Sequence, residues 1–415
     1  MLGKSSLMKR TAVLVLLVLG VLLGAARAQT ESVLYSFCPQ YPCADGEFPS
    51  AGVVFDQKGN LYGTTRNGGT QNNNCGYGCG VIFKLTPKGK ETVLYTFTGG
   101  ADGAQPFAGL VFDQKENLYG TTNLGGTSNG GVVFKLTPKG KYTVLYSFCS
   151  QSGCTDGGYP AAGLVFDQKG NLYGTTHNGG AYNAYCSDYG CGVVFKLTPN
   201  GKYTVLYSFC AQTNCTDGYA PVAGLILDQE GNLYATTYNG GAHNGGVVFK
   251  LTPKGKEIVL YSFCAEINCA DGASPAAGLV FDQKGNLHGT TYRGGEPGGG
   301  GVVFKLTPED KETVLYSFCW QVNCTDGDGP QAGVIFDQKG NLYGTTAAGG
   351  EQYSGVVFKL TPEGQETILY SSCGQRCGDG AYPSAGLIFD QKGNLYGTTQ
   401  EGGDYEGGVV FKVTP

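Results

Sequence analysis

A phrase of six residues returns along the whole chain and limits the folds that the chain can adopt. "NLYGTT" begins at Asn60, Asn117, Asn171, Asn341 and Asn394, and close variants begin at Asn232 and Asn286. The seven copies lie about 55 residues apart. A repeat of this length predicts a propeller, a solenoid or an array of small units.

Each repeat holds four segments, which we name strands A to D. In the first repeat they are "GVVFD" from Gly52, "NLYGTT" from Asn60, "GVIFKLT" from Gly80 and "TVLYTF" from Thr92. They are rich in β-branched and aromatic residues, and turn-forming residues bound them. Near-continuous apolar runs indicate sheets that are covered on both faces. The pattern predicts an all-β, seven-bladed β-propeller with four antiparallel strands per blade. An open β-solenoid is the alternative, although its repeat is usually shorter.

The chain starts in the middle of its own repeat. "ESVLYSFC", residues 31–38, is a copy of strand D with no strands A to C before it, and "VFKVTP" at the C-terminus is a strand C with no strand D after it. We therefore predict that the N-terminal strand completes the last blade and closes the ring. This closure removes the edge that blade seven would otherwise expose.

The repeat also resembles known families. "AGLVFDQKGNLYGTT" is similar to the first two strands of an NHL-type propeller blade, and the whole unit resembles the GloVer tandem repeats of exported bacterial proteins. The resemblance covers essentially the entire chain after its first 28 residues. It implies a propeller-like architecture and implies no particular activity.

The N-terminus has the pattern of a signal peptide. Lys4, Lys9 and Arg10 precede an apolar run from Thr11 to Gly24, and "ARA" ends at Ala28. We predict that residues 1–28 are cleaved and that residues 29–415 form a single propeller domain. An uncleaved anchor is the alternative. The expected location is periplasmic or extracellular, without stable membrane insertion after cleavage.

The charge of the mature chain disfavours some partners. Removal of residues 1–28 leaves 24 basic against 33 acidic side chains, a net charge near −9. This balance argues against nucleic acid or anionic lipid as the main partner. We expect a monomer.

Sixteen cysteines fall into eight close pairs. These are Cys38/Cys43, Cys75/Cys79, Cys149/Cys154, Cys186/Cys191, Cys210/Cys215, Cys264/Cys269, Cys319/Cys324 and Cys373/Cys377. Local pairing in an exported chain predicts eight disulfides. Zinc is the competing interpretation, but most pairs have C-x4-C spacing and histidine is scarce. We expect no metal and no cofactor.

Antiparallel strands would place two kinds of connection on opposite faces. The A–B and C–D connections are uniform turns such as "DQKGN" and "TPKGK", whereas the B–C and D–A connections vary and carry every cysteine. Variable loops on a rigid scaffold are typical of a binding face, and drift of unconstrained loops is the alternative. The candidate ligand-binding residues on this face are Tyr77, Tyr182, Tyr185, Tyr189, Trp320, Asn72, Asn73, Asn74 and His177.

Two sets of aspartates also recur. The "DG" aspartates, such as Asp45 and Asp102, are expected to form Asx-type turns, with an acidic ring for a cation as the alternative. The aspartates of the "DQKGN" turns, such as Asp56, are expected to stabilise tight turns rather than bind calcium.

The function predicted from these features is non-catalytic recognition of a glycan or a protein. The alternatives are a propeller enzyme of lyase or lactonase type and a purely structural envelope protein. His177, His243 and His288 are the only histidines, and no known catalytic motif accompanies them.

Overall fold

The computed structural model describes residues 30–186, 189–374 and 378–415. The predicted signal peptide lies outside the described residues. The innermost strands, A, are two residues long: Val54–Phe55, Val111–Phe112, Val165–Phe166, Ile226–Leu227, Val280–Phe281, Ile335–Phe336 and Ile388–Phe389. Strands B follow: Leu61–Thr65, Leu118–Thr122, Leu172–Thr176, Leu233–Thr237, Leu287–Thr291, Leu342–Thr346 and Leu395–Thr399.

The outer half of each blade consists of strands C and D. Strands C are Val81–Leu85, Val132–Leu136, Val193–Leu197, Val247–Leu251, Val302–Leu306, Val356–Leu360 and Val409–Thr414. Strands D are Thr30–Ser36, Glu91–Thr96, Tyr142–Ser147, Tyr203–Ser208, Glu257–Ser262, Glu312–Ser317 and Glu366–Ser371. Four one-turn 3-10 helices lie in the D–A loops: Ser152–Cys154, Thr213–Cys215, Ile267–Cys269 and Val322–Cys324. None of these helical turns in the described part of the chain has the length and apolar character of a membrane span.

These strands form a seven-bladed β-propeller of seven antiparallel four-stranded sheets, as the repeat predicted. In six blades the strands follow chain order, whereas in blade seven the N-terminal strand lies beside the C-terminal one. Thr30 pairs with Thr414 and Ser36 pairs with Val409 in this closing ladder. The predicted ring closure is therefore confirmed.

One repeated hydrogen bond joins each blade to the next. The hydroxyl of Thr64 in strand B donates to the backbone oxygen of Ala108, which precedes strand A of the next blade, at 3.3 Å. The same threonine-to-alanine bond joins each of the next five blade pairs. Thr398 completes the ring by donating to Ala51 O at 3.0 Å. All seven blade interfaces thus share a buried polar link.

The core lies between the blades. Val81, Ile82 and Phe83 of strand C are completely buried, which fits sheets covered on both faces. Phe37 packs edge-on against Phe83, with 5.0 Å between ring centroids. The glycine of "NLYGTT" is explained by this packing, because a β-carbon at Gly63 would lie 2.6 Å from the Phe83 ring.

The innermost strands are shorter than the five-residue segment that the sequence suggested. The seven strands A converge at the axis of the ring. A β-carbon on Gly52 would lie 2.8 Å from the backbone oxygen of Gly386. This close approach explains the glycine at Gly52 and likewise at Gly333, whereas a β-carbon at Gly224 would meet nothing within 4 Å. Only two residues of strand A pair with strand B.

Candidate functional site

The ring presents two faces. The loop face comprises the B–C and D–A loops, and the turn face comprises the A–B and C–D turns. The loop face carries seven disulfides, which confirm seven of the predicted pairs: Cys38–Cys43, Cys75–Cys79, Cys149–Cys154, Cys186–Cys191, Cys210–Cys215, Cys264–Cys269 and Cys319–Cys324. The eighth predicted pair includes Cys377, which lies outside the described residues.

Exposed large apolar side chains are confined to the loop face in the described part of the chain. They are Tyr41, Tyr77, Tyr182, Tyr185, Tyr189, Ile267, Trp320, Val322, Tyr353 and Tyr405. Every one of them lies in a B–C or D–A loop. The turn face has none of them, although the strands that lead into its turns are rich in aromatic residues. Exposed apolar groups concentrated on one surface indicate an interaction site.

The B–C loop of blade three brings three of the candidate residues together. Tyr182, Tyr185 and Tyr189 are 57 to 70% exposed. The Tyr185 hydroxyl donates to Asn214 Oδ1 at 3.0 Å, which fixes this side chain against the following D–A loop. Tyr189 packs edge-on against Tyr159, with centroids 6.1 Å apart. The loop therefore presents aromatic rings on a partly immobilised support.

Two disulfides underlie this tyrosine cluster. The sulfur atoms of Cys186, Cys210 and Cys215 lie within 4.8 Å of one another, so the two cross-links are adjacent. Asn183 also joins the loops, because its side-chain amide donates to Cys210 O at 3.3 Å. These sulfurs are already oxidised to disulfides and offer no thiolate to a metal.

The candidate asparagines of blade one are used largely within their own loop. The side-chain amides of Asn72 and Asn74 both donate to Thr98 O, at 2.8 and 3.2 Å. Asn72 Oδ1 accepts from the backbone N–H groups of Asn74 and Cys75. Asn73 is exposed. The sequence could not distinguish these roles, because Asn72, Asn73 and Asn74 carry the same side chain and differ only in their hydrogen-bond partners in the folded loop.

Of the remaining candidates, Trp320 and Tyr77 lie in loops of other blades, and His177 belongs to the same blade as the tyrosine cluster. Trp320 is 66% exposed, and its backbone N–H donates to Asp326 at 3.0 Å. Tyr77 is 73% exposed on blade one. His177 is half-buried, and its Nδ1 lies 2.6 Å from Asn178 Oδ1. Blades one, three and five are not neighbours, so the candidates form separate patches on one face.

The "DG" aspartates are occupied by structural hydrogen bonds. Asp156 Oδ2 accepts from the Tyr146 hydroxyl at 2.7 Å and from the Ser150 backbone N–H at 2.9 Å. Five other "DG" aspartates accept a tyrosine hydroxyl from strand D in the same way. The geometry supports the Asx-turn interpretation over a cation-binding ring.

The aspartates of the turn face are equally occupied. Asp56 accepts four hydrogen bonds, from the backbones of Lys58 and Asn60, the Asn60 side chain and the Tyr62 hydroxyl. Burial works to raise the pKa of Asp56, but these hydrogen bonds outweigh it and hold the pKa below its usual value. The same arrangement recurs in five other blades, and in blade five His288 replaces the tyrosine, which supports the structural role predicted for this turn.

The three histidines do not converge. His177 and His243 belong to blades three and four, and His243 is exposed. His288 occupies the tyrosine position of blade five, and its Nε2 lies 3.3 Å from Asp282 on the turn face. Burial lowers the pKa of His288 despite this carboxylate, so the ring is neutral at pH 7.

Charge is divided between the two faces, which the net charge of the chain conceals. All 21 lysines of the mature sequence lie in the turns of the turn face or in the adjoining half of strand C. The B–C and D–A loops contain 16 acidic residues and three arginines. The loop face is therefore acidic and the turn face is basic. This division depends on which connections share a face, so the net charge of the chain does not reveal it.

Comparison with known proteins identifies the repeat. The Gloeobacter/Verrucomicrobia repeat matches residues 19–187 and 296–415. The chain belongs to this repeat family. The resemblance to GloVer repeats is thereby confirmed. No curated protein matches the chain.

Solved structures share the fold of this Gloeobacter/Verrucomicrobia repeat protein at low sequence identity. PorZ, a surface component of the type-IX secretion system of Porphyromonas gingivalis, is 14% identical with a TM-score of 0.51, over 87% of this chain and 46% of PorZ. A fungal alcohol oxidase of the AA5 family, solved with copper, is 13% identical with a TM-score of 0.56, over 89% of this chain and 74% of the oxidase. At these identities the similarity concerns the fold alone.

Proposed function

We propose that the protein is an exported, disulfide-cross-linked propeller that recognises a glycan or a protein through its loop face, without catalysis. The observation that carries this proposal is the confinement of the large exposed apolar side chains of the described residues to that face. The cluster of Tyr182, Tyr185 and Tyr189 is the preferred contact region. The seven disulfides support export, because such bonds persist in oxidising compartments such as the periplasm or the exterior.

The loop geometry favours binding with few contacts. A loop held by a disulfide and by the Tyr185–Asn214 hydrogen bond loses little conformational freedom when a ligand docks. Tyrosine supplies a large contact area together with a polar hydroxyl, which suits sugars and peptide side chains. The acidic loops further favour a ligand with basic or hydroxyl groups.

The lyase or lactonase alternative lacks a converging catalytic group in the described residues. His177, His243 and His288 lie in three different blades, and each faces different surroundings. The structural-protein alternative predicts that no specific ligand exists. A lyase or lactonase would turn over its substrate, and a structural protein would show no saturable binding. Recognition predicts saturable binding without turnover.

Screening of purified mature protein on glycan and peptide arrays tests the proposal. We expect saturable binding to a defined set of spots, and we expect alanine at Tyr182, Tyr185 or Tyr189 to weaken it by roughly 1 kcal/mol or more each. Lys58→Ala and Lys139→Ala, on the turn face, are the matched controls and should leave these spots unchanged. Binding that survives the tyrosine changes and disappears with the lysine changes would contradict the assignment of the loop face.

A further inference from the structure

A cavity on the turn face lies between blades two and three. It measures about 610 Å³, which is within the usual range for small-molecule sites. Phe112, Tyr119 and Phe166 contribute apolar surface, and Tyr119 packs edge-on against Phe166 at 5.1 Å. The cavity does not belong to the loop face and has no part in the function proposed above.

Three lysines line this cavity: Lys115, Lys135 and Lys169. None of them forms an ion pair with a carboxylate, since the one basic side chain in contact with a carboxylate in the described part of the chain is the neutral His288, against Asp282. Lys135 lies over the Tyr119 ring, with Nζ 5.2 Å from the centroid. The lysines therefore form no direct ion pair, and the lining carries three ammonium groups against the two carboxylates of Asp113 and Asp167.

The aspartates of the cavity are already engaged. Asp113 accepts from the backbone N–H groups of Lys115 and Asn117, from the Asn117 side chain and from the Tyr119 hydroxyl. Asp167 is held by the equivalent four bonds. These carboxylates serve the turns, which leaves the lysines and the amides of Gln114 and Gln168 available to a ligand.

We propose that this cavity binds a small acidic sugar, a uronic acid or a short chain of uronic acids. The lysines would pair with the carboxylate, and the glutamine amides would bond to hydroxyl groups. The aromatic walls match the apolar face of a sugar ring. This combination of apolar wall, amide and unpaired cation selects a ligand that is polyhydroxylated and anionic.

Two observations favour this class over a membrane surface. The turn face lacks an exposed large apolar side chain in the described residues, so nothing there would insert between lipids. The lysines also surround a concave site rather than a flat plane. The neighbouring cleft between blades one and two is smaller, about 370 Å³, and its two lysines are matched by two acidic side chains, Asp56 and Glu116, so it lacks the excess of positive charge.

Calorimetric titration with trigalacturonic acid tests the site, and its fully methyl-esterified form is the uncharged control. We expect the acid to bind and the ester to bind at least ten-fold more weakly. Lys135→Gln and Lys169→Gln should each weaken acid binding about ten-fold with an unchanged melting temperature. Lys412→Gln is the matched control, because Lys412 holds the same strand C position over Tyr396 in blade seven, at 6.0 Å.

Several results would overturn the proposal. These are absence of acid binding at millimolar concentration, equal binding of the ester, or an equal loss in Lys412→Gln. Binding of phosphatidylglycerol vesicles without binding of trigalacturonic acid would assign the lysines to a membrane surface instead. Loss of acid binding in a Tyr182→Ala variant, with Lys135→Gln unaffected, would move the site to the loop face.

Discussion

The two faces of the ring differ in what their polar and aromatic side chains do. On the turn face, Tyr62 is half-buried and donates its hydroxyl to Asp56, which serves the turn of its own blade. On the loop face, Tyr182 is 70% exposed and its ring faces solvent. Both residues are tyrosines in a chain of near-identical repeats. The position within the repeat, rather than the residue type, decides whether a side chain serves the fold or a ligand.

This contrast explains why one face repeats and the other varies. Each turn must satisfy its own backbone groups, and an Asp-Asn-Tyr arrangement does so in six blades, with His288 in place of the tyrosine in blade five. Five of the D–A loops and the B–C loops of blades one and three are held instead by disulfides, which place few demands on the intervening residues. Loops freed from that demand can differ in length and in exposed side chains, as binding surfaces do.

Loss of ring closure should have the largest effect, because both faces depend on it. Residues 31–37 supply the outer strand of blade seven and the completely buried Phe37. We expect their deletion to leave no soluble folded protein, as judged by circular dichroism and gel filtration. Trimming Gln29 and Thr30 alone should cost little. Equal melting temperatures for the two truncations would refute the closure.

The glutamates that begin strand D in five blades should make the stability of the protein depend on pH. Burial, with a smaller contribution from a neighbouring aspartate, raises the pKa of five glutamates at the start of strand D to about 7: Glu31, Glu91, Glu257, Glu312 and Glu366. Their Oε1 atoms are buried without a partner. Blades two and three have tyrosine here, and the Tyr142 hydroxyl donates to Asp102 O at 2.6 Å.

The direction of this pH dependence follows from linkage. A folded-state pKa of about 7 lies above the unfolded value of 4.5, so the stabilisation is complete below pH 4.5 and is lost as pH rises through 7. These side chains remain partly accessible to solvent, so screening reduces the contribution to on the order of 0.5 kcal/mol per group. Calorimetry should show a lower melting temperature at pH 8 than at pH 5. Changing all five glutamates to glutamine should flatten that slope, and a slope that persists would exclude these residues as its source.

Reduction of the disulfides should separate the two faces. Each cross-link closes a loop of about six residues and is worth about 2 kcal/mol in the loop-entropy model. Hydrogen exchange in a mild reductant should show faster exchange in the B–C loop of blade three and in the D–A loops. The strands and the turn face should keep their protection. Uniform acceleration across the ring would mean that the disulfides hold the propeller itself.

The smallest expected effect concerns a single turn. Glu116 replaces the turn glycine in blade two and has a φ of 58°, whereas Gly59 holds the same position in blade one with a φ of 77°. Glu116→Gly should change the free energy of unfolding by about +1 kcal/mol, because glycine accepts this conformation without strain. Gly59→Ala should lower it by a similar amount. Gly76 on the loop face, with nothing within 4 Å of a β-carbon, should tolerate alanine.

Much of the fold could be predicted from the sequence, because each repeat contains its own strand and turn signals. The missing strand D at the C-terminus and the extra copy at Glu31 were sufficient to predict closure. The roles of individual residues in the candidate site were harder to predict from the sequence. The sequence did not show that Asn72 and Asn74 bond within their loop, since that depends on the position of Thr98 O. The division of charge was also hidden, because lysines that are far apart in sequence share a face only in the closed ring.

The central claim is that the loop face recognises the ligand of the proposed function, whereas the repeated Asp-containing turns of the opposite face support the fold. Footprinting tests it most directly, with the array ligand whose binding survives Lys135→Gln added to the wild-type protein. We predict that Tyr182, Tyr185 and Tyr189 lose reactivity toward hydroxyl radicals, while acetylation of Lys58 and Lys139 is unchanged. Protection of the lysines with unchanged tyrosine reactivity would contradict the account.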